Sequence, residues 1–524
     1  MKNNLLAKIE ELNNIGIALS AERDTSHLLE KILTSAKTLT NSDGGTLYRV
    51  KNTDKLFFDV IQNDSLNIHL GGSQTTTIPF GPLPIKLPNG DDNLSTVATY
   101  VVNKLETVNI KDIYGDDKFD FSGALKFDQN TQYRTESMLA IPLINVEEEC
   151  LGVLQLINAQ DEKGNTIPFD KEAESLARSL ASQASIALSN NKLVEEHKEL
   201  FESFSKLIAD TIDKKSPYTG AHCKRVPILT MLIAHKAAEM EDGVFKDFKM
   251  NENEFFELET AAWLHDCGKL TTPEYVMDKA TKLHTVYDRI GLLKTRLILK
   301  SYEDLVQKYK IPLAEIKTVK EKYQTIYQRL EQINTGGEVL AKEDLEYIQQ
   351  LETESYLGLD GSKQPMLTSE EVENLSIERG TLNDAERLKI QDHATASIHM
   401  LSILPFPKEL QRVCEYAGGH HERMDGKGYP NHLTRDQLSI PARMMGVADI
   451  FEALSAGDRP YKKGKTLSES LRILGFLKLD NHIDSDTFNL FIKEKIYLDY
   501  AKAHLKPEQI DDVIHSDIPG YDGD

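Results

Sequence analysis

Two places in the chain set metal-binding side chains next to one another. His265-Asp266-Cys267-Gly268-Lys269 and His420-His421-Glu422-Arg423-Met424-Asp425-Gly426-Lys427-Gly428-Tyr429-Pro430 each put adjacent ligand-type residues just ahead of glycine and lysine. His222, His393 and Asp449 are three further candidates. Neutral imidazole and carboxylate together suit Mn, Fe, Zn or Ni, and seven such side chains suffice for two ions with room left for water. One carboxylate can bridge two ions through its two oxygens, which one imidazole cannot. The pattern predicts a two-metal site assembled from distant segments, and the usual chemistry of such a site is phosphate hydrolysis.

Composition narrows the setting. A chain of 524 residues with 40% hydrophobic and 27% charged content is expected to fold as two or three globular domains. The net charge of −22 argues against a broad nucleic-acid surface. It also means that a phosphate site must supply its own positive charge from metals, lysines and arginines. No run approaches the roughly 18–20 apolar residues of a membrane helix. The opening Met1-Lys2-Asn3-Asn4-Leu5-Leu6-Ala7-Lys8 carries charge where a signal peptide needs an apolar stretch, so a cytoplasmic protein is expected. Cys150, Cys223, Cys267 and Cys414 are scattered and read as small buried thiols rather than a disulfide framework.

The elements that must position the candidates come in two styles. Residues 1–20 carry Leu5, Leu6, Ile9, Leu12 and Ile15 at helical spacing, and a second helical pattern covers about 25–40. Short alternating stretches at 45–50, 56–61, 137–144 and 151–157 read as strands of an antiparallel sheet. Residues 170–215 lack proline and predict one long connecting helix, a natural seam for a homodimer. From 200 onward the pattern is almost wholly helical. The stretch 283–380, rich in Lys, Glu, Gln and Tyr, reads as a helical insertion, a hairpin outside the catalytic bundle, with Gly336-Gly337 and Gly358–Gly361 as punctuation. His284 within it reads as a surface residue.

The metal-type motifs carry a resemblance. The His265-Asp266 pair, the 420–430 run and Val447-Ala448-Asp449-Ile450-Phe451-Glu452, with Asp458-Arg459-Pro460-Tyr461 behind it, resemble the HD-GYP family. These are bacterial phosphodiesterases of the second messenger cyclic di-GMP, within the HD metal-hydrolase superfamily. The likeness runs over about 205–280 and 380–475. It implies an all-α HD-type bundle holding two divalent ions, Fe or Mn. It makes His222, His265, Asp266, His393, His420, His421 and Asp449 the ligands, with Asp266 bridging. It places Lys269 on a phosphate oxygen, Gly428, Tyr429 and Pro430 at the substrate mouth, and Arg459 and Lys462 as further phosphate contacts. The implied reaction opens cyclic di-GMP to the linear dinucleotide and onward to GMP. A different cyclic dinucleotide, such as cyclic GMP–AMP, or a non-hydrolytic receptor are the alternatives. Two positions depart from the family: Tyr218 stands where some members have a glutamate for a third metal, and Glu452 where aspartate is usual.

Residues 21–190 resemble a GAF domain, an α+β small-molecule sensor. Val108-Asn109-Ile110-Lys111-Asp112, Thr131–Leu143 and Gly152–Asn158 carry that likeness. The Asn-Lys, Phe, Asp-Glu motif of cyclic-nucleotide-binding members corresponds to Asn158-Ala159, Phe169 and Ala173-Glu174, so its lysine and aspartate are missing. A ligand other than cyclic AMP or cyclic GMP is expected, or dimerisation alone. The expected architecture is therefore an N-terminal helix at 1–20, a GAF domain at 21–190, a connecting helix at 170–215 and an HD-GYP domain at 205–475. The insertion interrupts the HD-GYP domain at about 283–380, and a helical extension and tail follow at 476–524.

Overall fold

The structure is a computed structural model. It describes residues 2–51, 54–74, 77–215, 222–306, 313–336, 339–357, 361–457, 464–521 and 523. Tyr218, Arg459 and Lys462 lie outside the described residues. The chain divides into two compact units, Met1–Leu200 and Phe201–Asp524.

The first unit starts with helices α1 (Lys2–Ala21) and α2 (Thr25–Thr40). Strands β1 (Ser42–Lys51), β2 (Lys55–Asn63), β3 (Ile68–Gly71) and β4 (Leu83–Pro84) follow. Helix α3 (Val97–Lys104), β5 (Val108–Ile110), α4 (Ser122–Thr131), β6 (Met138–Ile144), β7 (Cys150–Gln160) and β8 (Thr166–Ile167) precede α5 (Lys171–Lys215). The sheet is antiparallel, in the order β3-β2-β1-β7-β6-β5, with β4 beside β2 and β8 beside β7. The four expected strands lie within or against β1, β2, β6 and β7. The others span two to four residues, too short to show an alternating pattern.

Alternation along the strands builds two apolar layers. Leu139, Ile141, Leu154 and Leu156 pack on one face with Leu29 and Ile32 of α2 and Ala177 and Leu180 of α5. Met138, Ala140 and Val153 pack on the other with Val97 and Val101 of α3. Gly152 is required where β7 crosses β1, because a Cβ there would lie 2.1 Å from the carbonyl oxygen of Tyr48.

The second unit is mostly helical. Before the insertion it holds α6 (His222–Glu239), α7 (Glu252–Leu264) and α8 (Glu274–Met277). The stretch read as an insertion contains α9 (Ile290–Val306), α10 (Leu313–Asn334), α11 (Lys342–Glu352), β9 (Ser355–Leu357), β10 (Lys363–Pro365) and α12 (Ser369–Leu375). After it come α13 (Asp384–Ile403), α14 (Val413–Gly418), α15 (Ile440–Ser455), α16 (Leu467–Leu479), α17 (Ser485–Lys493) and α18 (Ile496–His504). Capping boxes fix where α7 and α13 begin: Asn251 with Glu254, and Asn383 with Glu386.

Two sequence expectations need correction here. The insertion is more than a helical hairpin: three helices, a two-stranded β-hairpin and α12 enclose a separate apolar cluster of Leu293, Leu297, Tyr323, Leu330 and Ile348. The 476–524 stretch is not an appendage. Phe488, Phe491, Tyr497 and Tyr500 sit in the same core as Leu258 of α7 and Phe451 of α15, and α16 runs through position 475. Alternating aromatic and charged residues hid this, because amphipathic helices read alike on a core edge and on a surface.

Candidate metal centre

The fold brings the seven candidate ligands together in two groups: Asp266, His393, His420 and His421, and His222, His265 and Asp449. Within each group the ligand atoms lie within 4.8 Å of one another. His222 opens α6, His393 sits within α13, and Asp449 lies in α15. The two adjacent pairs follow helix ends: His265-Asp266 leaves α7, and His420-His421 leaves α14. A helix end lets consecutive side chains diverge from one face, so one pair can serve two groups. Gly268 allows the close approach of the turn after Asp266 to α13, since a Cβ there would meet the His393 carbonyl oxygen at 2.0 Å. Its N–H donates to Ser397 Oγ at 2.8 Å.

Asp266 joins the groups. Its Oδ2 lies 3.4 Å from His222 Nε2 and 3.2 Å from His265 Nε2, while its Oδ1 lies 3.2 Å from His393 Nε2. Asp449 also faces both ways, with Oδ1 3.1 Å from His222 Nε2 and Oδ2 3.9 Å from His421 Nδ1.

Three of the histidines are held in one tautomer. Nδ1 of His265 donates to the Ala262 carbonyl at 2.6 Å, and Nδ1 of His393 and of His420 donate to the carbonyls of Ile390 and Ala417. A carbonyl only accepts, so each Nδ1 carries the proton and each Nε2 turns a lone pair inward. Nε2 of His265, Nε2 of His420 and Oδ1 of Asp266 are buried without a hydrogen-bond partner. Convergent buried lone pairs are costly unless something electropositive joins them, so the residues fit divalent cations with nitrogen and oxygen ligands.

Electrostatics point the same way. Burial alone would raise the Asp266 carboxyl, but Lys269 and the neighbouring histidines outweigh it and hold it well below the usual range. Burial, then the neighbouring His265, pulls His420 down to about 3, and burial with His420 pulls His421 well below its ordinary value. Burial opposes a charge on His222, but Asp266, Asp449 and Glu452 overcome it and push that group well up. Three carboxylates that favour a proton at one point also favour a cation there.

Comparison with known proteins agrees with this division. Residues 24–188 match the GAF domain family and residues 368–487 the HD domain family. The chain carries a GAF domain and an HD domain. A 3'3'-cGAMP-specific phosphodiesterase of Vibrio cholerae is 38% identical over 114 residues, 22% of this chain and 26% of that one. A cyclic di-GMP phosphodiesterase of Pseudomonas aeruginosa is 36% identical over 114 residues, again 22% and 26%. A cGMP-specific 3',5'-cyclic phosphodiesterase of Drosophila virilis is 28% identical over 182 residues, 33% of this chain and 18% of that one. The chain spans about a quarter or less of these curated relatives. No helix among the described residues is long and apolar enough to cross a membrane.

The HD domain match holds His393, His420, His421 and Asp449, and begins after the His265-Asp266 pair. Lys269 Nζ is turned onto Asp266 Oδ2. The Tyr429 ring lies over His421, with centroids 4.7 Å apart. Gly428 is demanded by crowding, since a Cβ there would meet the Arg423 nitrogen at 2.3 Å. His284, expected at the surface, is half-buried in a tight turn, where its Nδ1 accepts from the Ala280 N–H, and it belongs to neither group.

Three residues around the ligands escaped the sequence reading. Glu452, noted only as a departure from aspartate, is buried; it accepts the Nδ1–H of His222 and an N–H from Arg225, and so aims His222 Nε2 at Asp266 and Asp449. The signal was spacing: Glu452 lies one turn after Asp449, and Arg225 one turn after His222. Buried Glu422 accepts the backbone N–H groups of Asn431 at 2.7 Å and Leu433 at 2.9 Å, closing the Gly428-Tyr429-Pro430 loop. A glutamate beside two histidines gives no hint of that loop-closing part.

Proposed function

We propose that this protein is a metal-dependent phosphodiesterase of cyclic di-GMP, producing the linear dinucleotide and then GMP, under control of its GAF domain. One observation carries the reading: the two oxygens of Asp266 face two separate sets of inward Nε2 atoms. His222, His265, Asp266 and Asp449 would hold one ion, and His393, His420, His421 and Asp266 the other, with Fe or Mn the metals that suit this mixed set. Two such ions supply an acidified water and positive charge for the phosphate oxygens.

The chain's own groups do the rest. Glu452 keeps the Nδ1 proton of His222, so Nε2 stays available. Lys269 is the nearest ammonium to Asp266 and is offered to a non-bridging phosphate oxygen. The Tyr429 face gives a purine ring a surface to stack on, and Gly428 and Pro430 shape that loop. Arg459 and Lys462 are proposed as further phosphate contacts. Burial holds His420 and His421 well below the ordinary imidazole value, so at those two positions the cavity's positive charge is not spent on imidazolium.

The domain boundaries proposed for this function are a GAF domain at 21–190 and an HD-GYP domain at 205–475 with the 283–380 insertion. The GAF domain is taken as the regulatory input for a small molecule other than cyclic AMP or cyclic GMP, since Ala159 and Ala173 replace that motif's lysine and aspartate. Two copies are proposed to pair along α5. Ile186, Leu193, Leu200 and Leu207 recur every seven residues, each at least half exposed, as a two-stranded supercoil requires. A monomer in light scattering would remove this pairing.

The deciding experiment is chromatography of cyclic di-GMP after incubation with protein reloaded with Mn or with Fe(II). Linear dinucleotide or GMP is expected, and absence of both in each sample overturns the reading. Cyclic GMP–AMP is the second substrate to assay, favoured by the 38% identity to the Vibrio cholerae relative. Tight binding of either nucleotide without turnover would instead make the protein a receptor.

A further inference from the structure

Lys215 is the last residue of α5 and was not among the candidates. Its Nζ donates to three backbone carbonyls: Lys269 at 3.3 Å, Leu270 at 2.6 Å and Thr272 at 2.8 Å. An ammonium has three N–H donors, and here all three have acceptors. The carbonyls belong to the 3-10 turn Cys267–Thr271 and the residue after it. The Lys269 carbonyl also accepts the Thr272 N–H at 3.1 Å; the last carbonyls of a helical turn run out of N–H partners inside it, and a cation beside a helical C-terminus is favoured.

The turn is the segment that carries the site's charges. It starts directly after Asp266, and Lys269 N donates to the Asp266 carbonyl at 2.9 Å. One end is fixed by the Gly268 N–H to Ser397 Oγ and by the close fit of Gly268 against α13. The other end is held by Lys215. With both ends held, the Lys269 side chain reaches Asp266 Oδ2.

We propose that Lys215 is a positioning residue for the metal centre: by capping these three carbonyls it fixes the turn that places Asp266 and Lys269. This inference deepens the phosphodiesterase reading and rests on it for the reaction, but not for the metal. The helix that leaves the GAF domain ends on the backbone of the turn beside Asp266, so a shift of Lys215 moves the residue facing both metal groups.

The test compares the full-length protein with Lys215→Met, which keeps the stem and removes the donors, and Lys215→Arg, which restores them. Calorimetry with Mn needs no substrate. The Met variant is expected to bind Mn about 10–100-fold more weakly, the scale seen when groups supporting metal ligands are lost, and the Arg variant, which returns a cation with N–H donors, to bind Mn more tightly than the Met variant. On cyclic di-GMP the Met variant should lose kcat by a similar factor with KM within about twofold, because what is lost is alignment rather than a substrate contact. Melting temperature and helical circular dichroism should stay near the parent's.

Unchanged Mn affinity in the Met variant overturns the proposal. Equal losses in Met and Arg variants, or a loss that tracks a fall in melting temperature, assigns Lys215 to general stability and overturns it too. Parent protein that binds Mn yet hydrolyses no cyclic dinucleotide would sink the phosphodiesterase reading, while the Mn comparison would still decide the part played by Lys215.

Discussion

Both units bury carboxylates, and Asp128 in one and Asp266 in the other are treated in opposite ways. In the GAF unit, buried Asp128 accepts the Thr135 N–H at 2.8 Å, the Thr135 hydroxyl at 2.9 Å and the Tyr114 hydroxyl at 2.9 Å. Asp43 accepts the Ser65 N–H and hydroxyl and the Tyr133 hydroxyl. Asn158 ties down the backbone of residues 134–137. In the HD unit, Asp266 Oδ1 and the Nε2 atoms of His265 and His420 are as deeply buried and have no hydrogen-bond partner. A satisfied buried polar group specifies a loop. Unsatisfied ones that converge specify a ligand, because only a bound group repays their desolvation.

The strongest way to break this contrast is Asp266→Ala. The two metal groups then lose their shared member, and the half-buried Lys269 ammonium loses its carboxylate. Metal content and phosphodiesterase activity should vanish together, activity by about 10³-fold or more, as expected when several kcal/mol of metal-supplied stabilisation is removed. Helical circular dichroism should persist. Elemental analysis beside the activity assay checks it; a metal-free variant with full turnover would refute the two-metal reading.

A smaller effect is expected one layer out. Glu452→Gln keeps the shape but weakens the acceptor for the Nδ1–H of His222. Metal affinity or turnover should fall about 10–100-fold, and Glu452→Asp should test whether the family's usual residue restores it. Calorimetric metal titration of the three proteins distinguishes an orienting carboxylate from a passive one, for which Gln would behave as Glu.

These layers differ in how far they can be read from a sequence. The four paired candidates were legible because His-Asp and His-His pairs are scarce and sit at helix ends, whereas His222, His393 and Asp449 rested on the family resemblance. The four principal strands were legible because β1, β2, β6 and β7 are long enough to carry apolar side chains to both layers, as short runs bounded by turn residues. Glu452, Arg225, Glu422 and Lys215 were not, since a charged residue on a helical pattern reads as solvated until its partner is known. The pairs His222–Glu452 and Lys215–Leu270 are 230 and 55 residues apart, so spacing within one helix can place Glu452 beside Asp449 but cannot name its partner. The insertion's own core was hidden for the same reason: Leu293 and Ile348 meet only once three helices close on them.

On the satisfied side of the contrast, Asp128→Ala should leave the metal centre alone. It strips acceptors from the Thr135 N–H, the Thr135 hydroxyl and the Tyr114 hydroxyl at once. A loss of about 2 kcal/mol is expected, typical of stranding buried donors. Thermal melts should show the GAF unit destabilised while Mn affinity stays within twofold. A change in metal affinity would mean that burial in one unit is coupled to the site in the other.

The mildest test separates a satisfied hydrogen bond from a compensated charge. Lys282 is buried, and its ammonium donates to the carbonyls of Leu375 at 3.1 Å and Ile377 at 3.0 Å. Both acceptors are neutral, so burial pulls this lysine down to about 8, with Asp344 opposing only weakly. The folded state therefore releases its proton near pH 8, while the unfolded chain keeps it to about 10.4. Between those values the unfolded state binds more protons, so stability must rise with pH across that window and be flat below it. Full linkage of the shift sets a ceiling of about 3 kcal/mol. A rise on the order of 1 kcal/mol is expected where water reaches part of the site. Denaturant titrations at pH 7.5 and 10 should show that rise in the parent and not in Lys282→Met. If the Met variant shows it as well, the proton belongs to another group, and hydrogen bonds to carbonyls alone would be enough to hold a buried ammonium charged.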